Sequence, residues 1–175
     1  MDSQTRAARI KLVAFDIDGV MTDGRLHYTE DGGELKTFNA QDGLGVKLMQ
    51  RAGFELAIVT GRHSNIVTAR AADLGIHHVL QGIGDKEETV AALLGQLGLD
   101  WAECAFMGDD LIDLPVMRRC GLAIAPANAQ AIVKQLAHLT TQASGGHGAV
   151  REAVEFILTA QNKLAAVIAP YLAAP

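Results

Sequence analysis

Two aspartates, Asp16 and Asp18, end an apolar run that begins at Ile10, and Gly19 follows them. In an extended segment their side chains point to one side, because side chains alternate with a period of two. Two carboxylates held together need a cation or a proton between them. One reading is a metal-assisted reaction centre. The other is a strand end capped by solvated aspartates, with Asp18-Gly19 forming a turn. The same grammar recurs twice: Phe54 to Val59 runs into Thr60-Gly61-Arg62, and Cys104 to Met107 runs into Gly108-Asp109-Asp110-Leu111-Ile112-Asp113. Between these clusters lies Lys86, at a helix start where the macrodipole does not favour a cation. Each has an ordinary explanation when taken singly. Thr60 would serve as a strand-end hydroxyl, and Asp109-Asp110 would cap a helix beginning near Leu111.

The elements that must position these residues follow from pattern. Apolar runs near residues 10–15, 54–59, 76–80, 104–107 and 122–125 read as buried strands. Helices are expected from about residue 44 to 52, from Ser64 or Asn65 to Gly75, from Asp85 to Leu97, from Leu114 to Arg119, from Asn128 to about His138, and from Val150 to Asn162. Asn39 to Gly43 reads as a polar loop, and Ala143 to Gly148 as a flexible one. Strands alternating with helices imply an α/β fold, a Rossmann-like parallel sheet flanked by helices. The polar clusters then converge on one sheet edge, where open α/β sheets bind ligands.

Residues 25–38 break the alternation. Two short segments around Asp31-Gly32-Gly33 predict a β-hairpin, with Leu26, Tyr28, Leu35 and Phe38 available for an apolar side. One hairpin cannot bury such a side alone, so it is expected to pack on a neighbouring subunit. The domain is expected to span residues 10–162, with a polar extension over 1–9 and an Ala-rich tail over 163–175.

The chain has 175 residues, enough for one domain with a sizeable core. Its hydrophobic content of 49% argues against disorder. A formal net charge of −5 and the lack of a long basic stretch argue against nucleic acid. Cys104 and Cys120 have neither CxxC nor zinc spacing, and Met1 to Arg9 lacks the apolar core of a signal peptide. Together these imply a cytoplasmic location without membrane insertion.

The sequence Asp16-Ile17-Asp18-Gly19-Val20, with Thr60-Gly61-Arg62, Lys86 and Gly108 to Asp113, resembles the four motifs of the haloacid dehalogenase superfamily in order and spacing. The resemblance implies phosphoryl transfer. Asp16 would be the nucleophile that forms an aspartyl-phosphate, and Asp18 the general acid and then the base. Thr60 and Gly61 would hold phosphate oxygens, with Lys86 supplying positive charge. Mg²⁺ would be the cofactor, held by Asp16, the backbone carbonyl of Asp18 and Asp109, with Asp113 acting through water or as an orienting residue. The gaps between the motifs leave room only for the hairpin and for one helix and one strand, so the chain reads as a capless member.

The longer pattern, with the hairpin, Asn39 to Gly45 and Gly145 to Glu152, is similar to the subfamily of phosphatases that act on 3-deoxy-D-manno-octulosonate 8-phosphate. That similarity implies a role in lipopolysaccharide precursor synthesis and a homotetramer. The hairpins would form its central barrel, and the C-terminal segments would approach neighbouring active sites. It also implies substrate contacts from Asn39, Ala40, Gln41, Asp42, Gly43, Lys47, Arg62 and Arg70, although Lys47 and Arg70 would also suit a solvated helix face. The chain has His147 where many members carry arginine. Competing readings are a phosphatase of a nine-carbon sialic-acid-type 9-phosphate, a mutase, and an inactive binding or assembly protein of the same fold.

Overall fold

A computed structural model of the chain describes residues 1–172. Strands β1 (Leu12–Phe15), β2 (His27–Tyr28), β3 (Glu34–Leu35), β4 (Glu55–Val59), β5 (His78–Leu80), β6 (Cys104–Met107), β7 (Leu122–Ala125) and β8 (Leu139–Thr140) alternate with helices. The helices are α1 (Ser3–Ala7), α2 (Ala40–Arg51), α3 (Asn65–Leu74), α4 (Lys86–Leu97), α5 (Leu114–Arg119), α6 (Ala131–Leu136), α7 (Ala149–Ala160) and α8 (Leu164–Leu172). Six strands form a parallel sheet in the order β5-β4-β1-β6-β7-β8. The chain winds to one side of β1 and then to the other. The strand order therefore reverses around β1, and the carboxyl ends of β4, β1 and β6 flank one crevice.

The sheet divides the core by alternation. Val13 and Phe15 of β1 face the layer containing α2, α3 and α7, whereas Leu12 and Ala14 face the layer containing α4, α5 and α6. Leu56 and Ile58 against Ala57 and Val59, and Leu122 and Ile124 against Ala123 and Ala125, divide in the same way. Because both faces are covered, the strands read as unbroken apolar runs. Cys104 and Cys120 are buried free thiols, and burial pushes Cys120 up to about 12.

Several local expectations are corrected. The polar stretch from residue 39 is not a loop, because Asn39 caps α2 through its side-chain oxygen and residues 40–43 form the first turn. Asn128 does not cap α6, which starts at Ala131; its amide instead bridges the Gly19 carbonyl and the Gly145 N–H. The helix ends at Leu136, and an extra strand, β8, lies between the expected helix end at His138 and the loop that begins at Ala143. The 143–148 segment is bonded along its length. A Cβ at Gly145 would lie 1.8 Å from the Gly19 carbonyl oxygen, and the Gly146 N–H donates to Val20. Such a close backbone approach is possible only without a side chain.

The first and last helices also pack. Ala7 of α1 is buried, and Arg6 donates to the Gly121 carbonyl. Val167 of α8 reaches the core behind α7. Among the described residues no helix is long and apolar enough to cross a membrane. The hairpin stands apart as a two-stranded antiparallel sheet, β2 with β3, leaving Leu26, Tyr28 and Leu35 exposed. Phe38 turns inward to the core instead.

Candidate active site

Strand β1 ends at Phe15, so Asp16 and Asp18 are not brought together by strand alternation. The Asp16 N–H still bonds to the Met107 carbonyl of β6, at 3.0 Å. The chain then turns sharply, with the Ile17 carbonyl accepting from the N–H groups of Val20, Met21 and Thr22. The turn aims Asp16 inward and leaves Asp18 at the rim. Both line a cavity of about 250 Å³ with Gly24, Leu26, Thr60, Gly61, Arg62, Asp109, Asp110 and Ile112.

Lys86 begins α4, one residue after its cap Asp85. Its ammonium donates to Asp16 Oδ2 at 3.0 Å and to Asp113 Oδ1 at 2.6 Å. All three side chains are buried. The other oxygen of Asp113 accepts the N–H groups of Asp109 and Asp110, at 2.9 and 3.2 Å. Asp113 thus ties Lys86 to the loop that carries Asp109. Gly19 has φ of +93°, and a Cβ there would lie 2.0 Å from Asp109 Oδ2. The glycine after the aspartate pair therefore admits a third carboxylate beside Asp16.

Electrostatics define what this cluster can do. Burial, together with the charge of Asp113, raises Asp16 to about 6 against the pull of Lys86. Burial, with Asp113 and Asp16 nearby, raises Asp109 to about 7. For Lys86, burial opposes the charge, but Asp16 and Asp113 outweigh it and hold the ammonium above its ordinary value. One oxygen each from Asp16, Asp109 and Asp113 lies within 4.8 Å of the others. Asp109 Oδ1 is buried with no hydrogen-bond partner. An unpartnered anionic oxygen among buried carboxylates fits a hard divalent cation that takes oxygen ligands. Asp109 Oδ1 is the oxygen without a partner; Asp16 accepts from the Ile17 N–H and from Lys86, and both oxygens of Asp113 accept bonds as well, so either would share an already bonded oxygen with the cation.

The rim carries residues that the sequence patterns did not single out. Lys36, at the end of the hairpin, has its ammonium 2.5 Å from Asp18 Oδ1 and 3.4 Å from Glu34. Glu34 also accepts from Arg62 at 2.7 Å. The usable signal was alternation, since Glu34 and Lys36 flank the outward-facing Leu35. Asn128 was marked only as a helix start, and no local pattern marks its bonds to Gly19 and Gly145.

The remaining candidates lie elsewhere. Asp42 is buried and accepts the N–H groups of Gly148 and Arg151 at the start of α7. Lys47 donates to the carbonyls of Asp73 and Leu74 at the end of α3. Arg70 donates to the Asn39 carbonyl and lies over the Phe38 ring, with its Nη2 only 2.4 Å from where a Gly43 Cβ would stand. Asn39 donates to the Gly146 carbonyl. Ala40 lines a shallow depression with Phe38, Ile66, Ala69, Arg70 and Asp73, and Gln41 is exposed. None of these residues lines the cavity at Asp16.

A sequence profile of the haloacid dehalogenase-like hydrolases matches residues 72–153. The chain is 44% identical to the 3-deoxy-D-manno-octulosonate 8-phosphate phosphatase of Yersinia pestis, over 91% of this chain and 85% of that one. It superposes on the crystal structure of a probable YrbI-family phosphatase from Pseudomonas syringae with a TM-score of 0.97, at 49% identity and 98% coverage of both chains. It also superposes on the Moraxella catarrhalis 3-deoxy-D-manno-octulosonate 8-phosphate phosphatase, solved with magnesium, phosphate and KDO. That match has a TM-score of 0.94 at 42% identity, covering 96% of this chain and 97% of the other. With four acidic and basic motifs meeting at the crevice beside β1, and identities of this size over nearly the whole length, the chain belongs to the haloacid dehalogenase-like hydrolases, within the 3-deoxy-D-manno-octulosonate 8-phosphate phosphatase family.

Proposed function

We propose that this chain is a Mg²⁺-dependent phosphatase that hydrolyses 3-deoxy-D-manno-octulosonate 8-phosphate to the free sugar acid and phosphate. It would thereby serve lipopolysaccharide precursor synthesis in the cytoplasm. The observation that carries the reading is the buried Asp16–Lys86–Asp113 chain beside the unpartnered Asp109. The relatives' shared substrate supports the choice of sugar.

Asp16 is the nucleophile in this reading. Its carboxylate oxygen bonds to phosphorus as the bond from phosphorus to the sugar oxygen breaks. A proton passes from Asp18 to that oxygen, so the sugar leaves as a neutral alcohol. Water then attacks the phosphorus of the aspartyl-phosphate and gives a proton to Asp18 as the bond from phosphorus to the Asp16 oxygen breaks, which releases phosphate and restores both residues. Lys86 stays beside Asp16 and offsets the negative charge gathered there. Thr60 and Gly61, on the cavity wall, hold phosphate oxygens. Mg²⁺, held by Asp16, Asp109 and the Asp18 carbonyl, supplies the positive charge that lets an anionic phosphate approach a carboxylate. Asp113 orients Lys86 and the Asp109 backbone.

The substrate also carries a carboxylate, and Arg62 is the cation at the cavity suited to it. We assign the other substrate contacts to assembly. In a homotetramer joined through the 25–38 hairpins, Ala40, Gln41 and Arg70 would serve a neighbouring copy's site, and the C-terminal segment would lie near it. Asn39, Asp42, Gly43 and Lys47 would support that surface.

The covalent step gives the test. Rapid acid quench of the protein with phosphate-labelled substrate should leave label on the peptide that carries Asp16. Asp16→Asn should carry none and lose turnover by at least about three orders of magnitude. A variant that keeps full turnover, or a label on another residue, would contradict the mechanism.

A further inference from the structure

The hairpin does more than present an apolar face. Leu35 points outward, so its neighbours Glu34 and Lys36 point to the opposite side. There the Lys36 side chain is 2% exposed, and its ammonium meets Asp18 Oδ1 at 2.5 Å. Glu34 bonds Arg62 at 2.7 Å, and the Tyr28 hydroxyl accepts from the same guanidinium at 3.3 Å. This clamps the hairpin onto the segment after β4. The two oxygens of Asp18 are therefore not equivalent. Oδ1 is held by Lys36, whereas Oδ2 faces Arg62 Nε at 3.6 Å, beyond hydrogen-bond range.

We infer that Lys36 is a positioning residue for Asp18. It pins Oδ1 so that Oδ2 is the oxygen that passes the proton to the departing sugar oxygen. The inference rests on the reading of Asp18 as the general acid. As the bond from phosphorus to the sugar oxygen breaks, the proton on Oδ2 moves to that oxygen and negative charge develops on the Asp18 carboxylate. Lys36 already faces that charge, so its stabilisation grows along the reaction and needs no reorganisation. Burial strengthens the effect, because a buried ammonium has few other partners. The hairpin thereby becomes part of the catalytic centre of its own chain.

The test uses two leaving groups. The leaving group of a sugar phosphate is an alkoxide that needs the proton. That of p-nitrophenyl phosphate is a stable phenolate that does not. For each ester, kcat/KM reports the steps up to departure of the leaving group. Lys36→Met should lower kcat/KM for 3-deoxy-D-manno-octulosonate 8-phosphate by on the order of 10²-fold and for the aryl ester by less than about threefold. Asp18→Asn, measured alongside, should show the same split. Equal losses on both esters in Lys36→Met, as from a disturbed fold, or no loss on either, would overturn the role of Lys36 while a split in Asp18→Asn leaves that residue's role standing. Absence of a split in Asp18→Asn would overturn the acid role itself, and that of Lys36 with it.

Discussion

Asp16 and Asp109 show how one buried site ties protons, metal and stability together. Both carboxyls sit above their ordinary value of 3.8 in the folded chain, at about 6 and about 7. Folding therefore binds protons between those values, and the metal-free protein loses stability as pH rises from about 4 to 7 through these two groups. A divalent cation competes with the same protons. Melting temperature with and without Mg²⁺ should thus show a larger metal-induced rise at pH 7.5 than at pH 5.5, and a rise that is equal or larger at pH 5.5 would contradict the carboxylate site. Asp16, Asp18, Lys86 and Asp109 were legible in the sequence because each lies just beyond a strand or at a helix start, where pattern fixes position. Lys36 was not singled out. Its partner Asp18 is 18 residues away, and only the fold of the hairpin brings the two together.

Helix α2 carries residues whose chemistry resembled a binding loop and which the fold uses as helix caps. Asn39 caps its own helix, and Asp42 caps α7 from a distance by accepting the Gly148 and Arg151 N–H groups. Burial raises the Asp42 carboxyl, and those N–H groups offset part of that. Asp42→Ala should cost about 2 kcal/mol, a fall of roughly 4–8 °C in melting temperature for a chain of this size, with KM little changed. An unchanged melting temperature with a raised KM would instead place Asp42 at the substrate. Strand and helix order could be read from periodicity, and β6, β7 and α5 appear at the expected residues. The short edge strand β8 has no apolar run of its own. It is set by bonds from its flanks, His138 to Ala123 and Thr141 to Ala125, which no local pattern encodes. The glycines at 145 and 146 suggested mobility. They mark instead where backbone must pass against backbone at Gly19 and Thr22.

The whole molecule leaves apolar side chains of its hairpin uncovered on both faces: Leu35 on the outer one, and Tyr28, paired with Glu34, and Leu26, at the cavity, on the other, exposed at 60%, 65% and 45%. Its active-site cavity has no cap domain over it. Both features argue for assembly through the hairpin, so light scattering should report four chains, and Leu35→Glu should reduce that number. A monomer at working concentration would contradict the proposal. The parallel sheet was legible from the alternation of strands and helices, whereas its strand order, with the reversal at β1, was not. The proposed association is legible only as an unburied hairpin, because its geometry would depend on a second chain. The central claim is the reaction on an eight-carbon sugar acid. Its most direct measurement is phosphate release by the purified protein with Mg²⁺, comparing 3-deoxy-D-manno-octulosonate 8-phosphate, a nine-carbon sialic-acid-type 9-phosphate and a simple phosphate ester such as glycerol phosphate. The highest kcat/KM is expected for the eight-carbon substrate. Equal or better turnover of the nine-carbon acid or of the simple ester would contradict it.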